Sequence, residues 1–456
     1  MVSVLMIIKV AGAGAGKTSN MATNVIDSYE AITDCQNIYC LAFTNNAVDS
    51  IRTKLMVHYG KLPHNIIVST IHSFIYQELI HPYYYLLYKK HYNNISSTSM
   101  PSDAKQKAIK INSLDNHNIL HVEAIPQKGM WVAFKKSDDK IREKGIRTVI
   151  LRAFSSYCAK IFIDEAQDIT KEMKNIITAL SGYGIDISMF GDPKQDLRGR
   201  GCFRELINDH SDSVTYINSC YRCPRLHLLL ANSIVEEKEK QVSEVIDGSI
   251  ILKFESDISI KELLNEAYDL KYIYQKNNRV ETHFEELKDI RFDNIRNELL
   301  IVLNSLNGNE LENMINSYSY TYAMLKLLDK GVEEQEIMRC LTNQIGHITK
   351  SDYRNIITQL KSREELNSSL PVVHSIESIK GLEGENCLFI LTKDLAAYLF
   401  KEKTDDNKVK NALYVALTRS LRRLTIFITT EVEEKYGKEK ISWFFKRIEE
   451  KMDNTA

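Results

Sequence analysis

Short apolar runs, each closed by a polar or glycine-rich turn, alternate along this chain with stretches whose apolar residues recur every three or four positions. Leu5 to Val10, Ile38 to Phe43, Ile66 to Val68, Lys160 to Ile163 and Ile185 to Phe190 are such runs. Continuous rather than alternating hydrophobicity is what strands covered on both faces require, and such strands pair in parallel. Between them the spacing predicts a helix from Lys17, with Met21, Val25 and Ile26 on its sheet-facing side, and a second from Thr44 to about Tyr59. Strand, loop and helix repeated in this way predict a parallel sheet with its ligand-binding loops at the carboxyl edge.

From about His81 to Arg147 this rhythm loosens. Tyr83, Tyr84, Tyr85, Tyr88 and Tyr92 precede a polar stretch and a basic run from Lys135 to Arg147, and the segment reads as an insertion. Tyrosines beside lysines suit base stacking with phosphate neutralisation, and they suit a small helical core with solvated charges equally well. Val242 to Leu370 says least: strands are expected at Ile250 to Phe254 and Leu299 to Leu303, with turns at Gly308 and Gly331. Order returns at Pro371 to Gly384. A strand at Cys387 to Leu391, a charged loop from Lys401 to Lys408, a helix through Asn411 to Ser420, a strand at Leu424 to Ile428 and a charged amphipathic tail follow.

At 456 residues the chain calls for about two to four domains. A net charge of −1 gives no global pull on nucleic acid, so any such binding needs a local basic surface. No apolar run approaches the roughly 18 residues of a membrane span, and the N-terminus lacks a basic n-region. The expected location is therefore cytoplasmic, with no membrane partner. Eight scattered cysteines suit free thiols. Cys220-x-x-Cys223 lacks a second pair nearby for a zinc site and reads as incidental.

The chemistry starts at Ala11-Gly-Ala-Gly-Ala-Gly-Lys17-Thr18. Small residues between a strand and a helix let backbone N–H groups close on phosphate oxygens, and the helix start adds its dipole. Ala13, Gly14, Ala15, Gly16, Lys17, Thr18 and Ser19 are the expected cradle, Lys17 meeting terminal phosphates and Thr18 binding Mg²⁺. Lys160-Ile-Phe-Ile-Asp164-Glu165 carries two acids to the same edge: Asp164 for the metal, Glu165 to take a proton from the attacking water. Gln195, after the strand ending at Phe190, is placed to sense the γ-phosphate. ATP and Mg²⁺ are the cofactors expected.

Taken with Phe43 to Ala47, Thr70 to Phe74, Tyr221-Arg222, Lys380 to Glu383 and Tyr414 to Arg419, the ordered set resembles the superfamily 1 DNA helicases of the UvrD/Rep type. That resemblance implies an α/β fold: two RecA-like parallel-sheet lobes with a helical insertion in each, the second reduced. The corresponding division is 1–80 with 148–212, insertion 81–147, second lobe 213–304 with 371–456, and insertion 305–370. It further implies that Tyr221 stacks on adenine, that Glu383 touches the ribose, and that Arg222 and Arg419 reach the γ-phosphate. Phe43, Thr44, Asn45, Thr70 and His72 would contact DNA.

The chain departs from the family pattern in four places. Only ten residues precede Ala11, where relatives carry a segment with an adenine-reading Gln; Asp196 to Gly201 lacks the usual pair of base-stacking aromatics. Glu377 and Gly384 replace a His and an aromatic, and the second insertion is small. The compact size and the Lys160 to Gln195 region also look similar to the helicase-like subunit of Gabija antiphage systems, which implies a nuclease partner. Three readings follow. One is a helicase or translocase hydrolysing ATP on single-stranded or tailed duplex DNA, 3′-to-5′ as the family implies. A second is a DNA-sensing ATPase subunit regulating a nuclease. The third, a module with a decayed site, is disfavoured by the full set of Lys17, Asp164, Glu165, Gln195, Arg222 and Arg419.

Overall fold

The computed structural model describes residues 6–33, 35–98, 100–101, 103–275, 277–282, 291–306, 309–346, 348–361 and 371–453. In chain order the strands are β1 (Met6–Ala11), β2 (Asn37–Ala42), β3 (Ile66–Thr70), β4 (Asn94–Ser96), β5 (Ile119–His121), β6 (Cys158–Ile163), β7 (Asp186–Gly191) and β8 (Val214–Ile217). There follow β9 (Ser219–Pro224), β10 (Val242–Val245), β11 (Ser249–Phe254), β12 (Leu270–Ile273), β13 (Glu281–Thr282), β14 (Val372–Ser375), β15 (Gly384–Leu391) and β16 (Ser420–Ile428).

Two six-stranded sheets form, in the orders β3-β2-β6-β7-β1-β8 and β11-β16-β15-β12-β14-β13, and their recorded pairings are parallel. The fold class expected from the sequence is the one observed. Both sheets follow from the apolar runs: Ile8, Val10, Ile38, Cys40, Phe162 and Phe190 in the first, and Leu388, Phe389, Ile390, Ile426 and Phe427 in the second, are at most 2% exposed. The helices Lys17–Tyr29 and Asn45–Tyr59 cover one face of the first sheet through Met21, Val25, Ile51 and Leu55. A ribbon of β9 and β10 follows the first sheet in sequence.

The chain divides into two compact units, one of Met1–Phe74, Asp138–Glu285 and Ser368–Ala456, the other of Ile75–Ser137 and Glu286–Asn367. Both six-stranded sheets lie in the first. A continuous helix, Ile141–Tyr157, spans the boundary expected at 147. In the second unit, the segment expected as a strand at Leu299 to Leu303 is instead part of a helix, Arg291–Leu306. Ile295, Leu299 and Val302 recur at helical spacing and bury in one core with Ile337, Met338 and Leu341. A short apolar run fits either element, and here the partner helices decide. Gly331 is a turn at φ 78°, while Gly308 lies outside the described residues.

Within that second unit the tyrosines form a core around a cation. Tyr84 and Tyr92 are buried. Lys128 Nζ lies 5.7 Å from each of those rings and 4.6 Å from the Trp131 ring, with Asp115 Oδ1 at 3.0 Å. Tyr85, 40% exposed, stacks on His91.

Candidate nucleotide site

β1 ends at Ala11, between β7 and β8 in the sheet, so the loop that follows emerges at the carboxyl edge. Gly14 (φ 69°) and Gly16 (φ 70°) take left-handed conformations, which residues with a Cβ adopt at a cost. A Cβ on Gly14 would also lie 2.6 Å from Arg222 Cβ. Gly16 caps the helix Lys17–Tyr29 without a side chain, leaving the helix's first N–H groups facing outward. Lys17 Nζ donates to Gly12 O at 3.4 Å. Ser19 Oγ, on the exposed side, accepts from Lys54 Nζ at 2.9 Å.

β6 lies next to β7, so Asp164 and Glu165 emerge close to the loop. The Thr18 hydroxyl donates to Asp164 Oδ2 at 2.8 Å, and the Glu165 N–H donates to Asp164 Oδ1 at 2.9 Å. Asp164 is 1% exposed; burial, then the neighbouring Glu165 charge, push its carboxyl up to about 6. Burial pushes Glu165 the same way, but Lys17, Lys380 and the Gln167 amide outweigh it and hold Glu165 below its ordinary range. Glu165 also sits at φ 53°, a strained conformation for a non-glycine residue of the kind that collects at functional sites.

Gln167 joins the acids to the next strand. Its amide donates to Glu165 Oε2, and its Oε1 accepts from the Asp192 N–H at 3.0 Å. Gln195, 4% exposed, donates to Asp192 Oδ2 at 2.9 Å. Burial raises Asp192, yet Lys194 and Lys17 hold its carboxyl below the usual range. Thr18, Asp164, Glu165, Gln167, Asp192 and Gln195 thus form a continuous polar chain along the edge of the first sheet. Such a path lets a change at a phosphate move several side chains together.

Segments from Tyr221 onward reach this edge. The Tyr221 N–H donates to Gly14 O at 3.0 Å, with its ring 62% exposed. Arg222 pairs with Glu383 at 2.9 Å and donates to Thr418 O at 3.5 Å. Arg419 is 1% exposed and donates to Val415 O, Leu382 O and Thr418 Oγ1 at 3.1, 3.4 and 3.2 Å. Burial and the nearby Arg222 both lower its pKa. Lys380 pairs with Asp168 at 2.6 Å. Arg222 is therefore packed against the loop, with Glu383 as its ion-pair partner and Arg419 reached from it through Thr418. The expected DNA contacts form a separate group: Phe43 to Asn45 follow β2 and Thr70 to His72 end or follow β3, with Ala42 and Thr70 paired. Thr44 caps a helix by accepting from the Ala47 N–H at 3.2 Å. Burial, then Arg200, lower the His72 pKa.

The chain's residues 2–199 match the AAA domain family. In the order of its phosphate loop, acid pair and later arginine motifs the chain is similar to superfamily 1 helicases. Among curated relatives it is similar to Gabija protein GajB of Bacillus cereus (strain VD045), 26% identical over 275 residues, 59% of this chain. The match spans 54% of that relative's length. Among solved structures it is similar to the Arterivirus nonstructural protein 10 (helicase) with DNA, at TM-score 0.37 and 10% identity over 92% of this chain and 60% of that one. The same viral protein described without DNA gives 0.36 and 11%, over 92% and 59%.

Gln167, Cys220 and Gln241 carry no role in the sequence reading. Cys220, read as incidental, donates from Sγ to Ala13 O at 3.1 Å and accepts from the Cys223 N–H at 3.3 Å. Gln167 had a signal, standing two residues after the acid pair. Gln241 had none, since its partner Ala13 lies 228 positions away. Among the described residues there is no cluster of three metal-holding side chains, and no helix is long and apolar enough to cross a membrane.

Proposed function

We propose that this protein is a DNA-stimulated ATPase of the helicase or translocase type. The observation that carries the reading is the convergence on one loop of Thr18 bonded to Asp164, Glu165 held ionised, and Arg222 packed against Gly14. The donor set fits Mg²⁺: a hydroxyl and a nine-tenths-buried carboxylate at 2.8 Å are hard oxygen ligands, and the raised Asp164 carboxyl is a site that a cation relieves. Thr18 and Asp164 would hold the ion, which neutralises phosphate charge when bound.

The remaining chemistry belongs to the chain's own residues. Loop N–H groups and Lys17 bind the phosphates. Glu165, kept charged by Lys17 and Lys380, accepts the proton of the attacking water. Gln195 contacts the γ-phosphate and, through Asp192 and Gln167, ties that contact to Glu165. Arg222 exchanges Glu383 for phosphate oxygen, with Arg419 braced behind it; Tyr221 presents an open ring to the base and Glu383 a carboxylate to the ribose. Phe43, Thr44, Asn45, Thr70 and His72 line the edge that takes single-stranded DNA. Turnover of Mg-ATP with and without a single-stranded oligonucleotide tests this. Glu165→Gln is expected to lose about 10²–10⁴-fold in kcat while still binding nucleotide. ATP binding without Glu165-dependent hydrolysis under any DNA would end the enzyme reading.

The likeness to a Gabija protein supports a second reading, in which the ATPase regulates a partner nuclease in antiphage defence and unwinds little by itself. Strand displacement on a tailed duplex separates the two: robust unwinding by the isolated chain counts against an obligate regulatory subunit.

A further inference from the structure

The hydrogen-bond partners of the Ala13 peptide groups lie far along the chain, at positions 220, 241 and 414. The Ala13 N–H donates to Tyr414 Oη at 3.1 Å, and the Tyr414 hydroxyl donates onward to Gln241 Oε1 at 3.0 Å. Gln241 Nε2 returns to Ala13 O at 3.2 Å, closing a ring, and Cys220 Sγ donates to the same oxygen at 3.1 Å. Both lone pairs of that carbonyl are thereby used. Ala13 and Tyr414 are 1% exposed, Cys220 0% and Gln241 4%, so water does not replace these bonds while the ring is intact. The fit is close as well: a Cβ on Gly12 would lie 1.9 Å from Gln241 Oε1.

We propose that Gln241 and Tyr414 are positioning residues of the nucleotide site, which hold the phosphate loop in its phosphate-accepting shape from the opposite half of the chain. The proposal rests on the reading of this loop as an ATP site. Ala13 directly precedes Gly14, whose left-handed turn aims the following N–H groups. Fixing the Ala13 peptide planes therefore fixes the direction of the donors that meet phosphate. Because the ring closes only while the Tyr414 helix, the residue before β10 and the loop are in contact, separating the two halves strips one peptide of all these partners at once. Nucleotide affinity is then tied to apposition of the halves through residues that touch neither base nor phosphate.

The test uses the full chain with Tyr414→Phe, Gln241→Met and the double variant. Phenylalanine keeps the packed ring and removes only the hydroxyl; methionine keeps the length of the side chain and removes both amide functions. Equilibrium binding of a mant-labelled ATP analogue with Mg²⁺ is measured beside kcat and KM on a single-stranded oligonucleotide, and thermal melting. Each single variant is expected to weaken nucleotide binding and raise KM by roughly tenfold, with kcat changed far less. Because both groups act through one ring, the double variant should be about as weak as the weaker single. Wild-type affinity in both singles, effects that multiply in the double, or a lowered melting temperature with affinity intact would each overturn the proposal. If Tyr414→Phe does not fold, Gln241→Met and Gln241→Glu, whose carboxylate cannot donate to Ala13 O, carry the same test. A wild-type chain that binds no nucleotide would instead refute the reading of the site.

Discussion

At the scale of single residues, the two neighbouring acids are separated by their surroundings. Asp164, buried and beside another carboxylate, is pushed up to about 6, while Glu165 is held down by Lys17 and Lys380. Two groups with divergent affinities for a proton are what a metal ligand and a general base require side by side. Below about pH 6 Asp164 is neutral and a poor ligand. The apparent affinity for Mg²⁺ with nucleotide should therefore fall as pH drops through about 6, and Asp164→Asn should be weak and flat across the same range. A binding titration at pH 5 to 8 checks both. The sign for stability is the opposite. The folded chain without the cation holds this proton more tightly than the unfolded chain does. Its contribution is present at acid pH and is lost as pH rises through about 6.

The two arginines should also be distinguishable. Arg222 is held by an ion pair to a half-exposed Glu383, whereas Arg419 is fully buried on three carbonyl or hydroxyl oxygens. Both alanine variants are expected to keep nucleotide binding and to lower turnover by about 10³-fold or more. Only Arg419→Ala should also lower the melting temperature, because it empties a packed, hydrogen-bonded site. Unchanged turnover in either variant would remove that residue from the charge-stabilising set.

Among the elements, an ion network ties the strand-end segment after β7 to later parts of the chain. Lys194 lies 2.9 Å from Asp192 and 3.6 Å from Glu239; Arg204 lies 2.5 Å from Glu239 and 2.6 Å from Asp406. Glu239, 1% exposed at its side chain, serves two cations, each of which has one other acidic partner. Glu239→Ala should destabilise the protein by about 2–3 kcal/mol, at the low end for breaking a buried pair because Arg204 is a quarter exposed and keeps Asp406. Chemical denaturation measures it. This network borders the Gln195 turn. A loss of turnover larger than the loss of folded protein would mean that the elements transmit strain to the site.

For the molecule as a whole, nucleotide bound as proposed should act as a stabiliser, since the proposed site is built from segments far apart in sequence and unfolding disperses them. At a hundred times its Kd, Mg-ATP should add about 2.7 kcal/mol, read as a rise in melting temperature that Lys17→Ala abolishes. The sequence by itself determined the parallel sheets and displays the small-residue loop and the acid pair that stand at their edges. Apolar runs such as Leu5 to Val10 and Lys160 to Ile163 have one low-energy use, and small residues before Lys17-Thr18 suit a loop that wraps phosphate. These signals are local, lying within a dozen residues of one another. The helix over Leu299 to Leu303 was not legible, because a short apolar run is decided by what it packs on. Nor was the clamp on Ala13 legible, because Tyr414 and Gln241 are ordinary residues until folding brings them across 401 and 228 positions to one peptide. The strand and loop signals are carried by backbone propensity and residue size, which a sequence displays. Which buried donor meets which buried acceptor is settled only when the tertiary structure removes water from both.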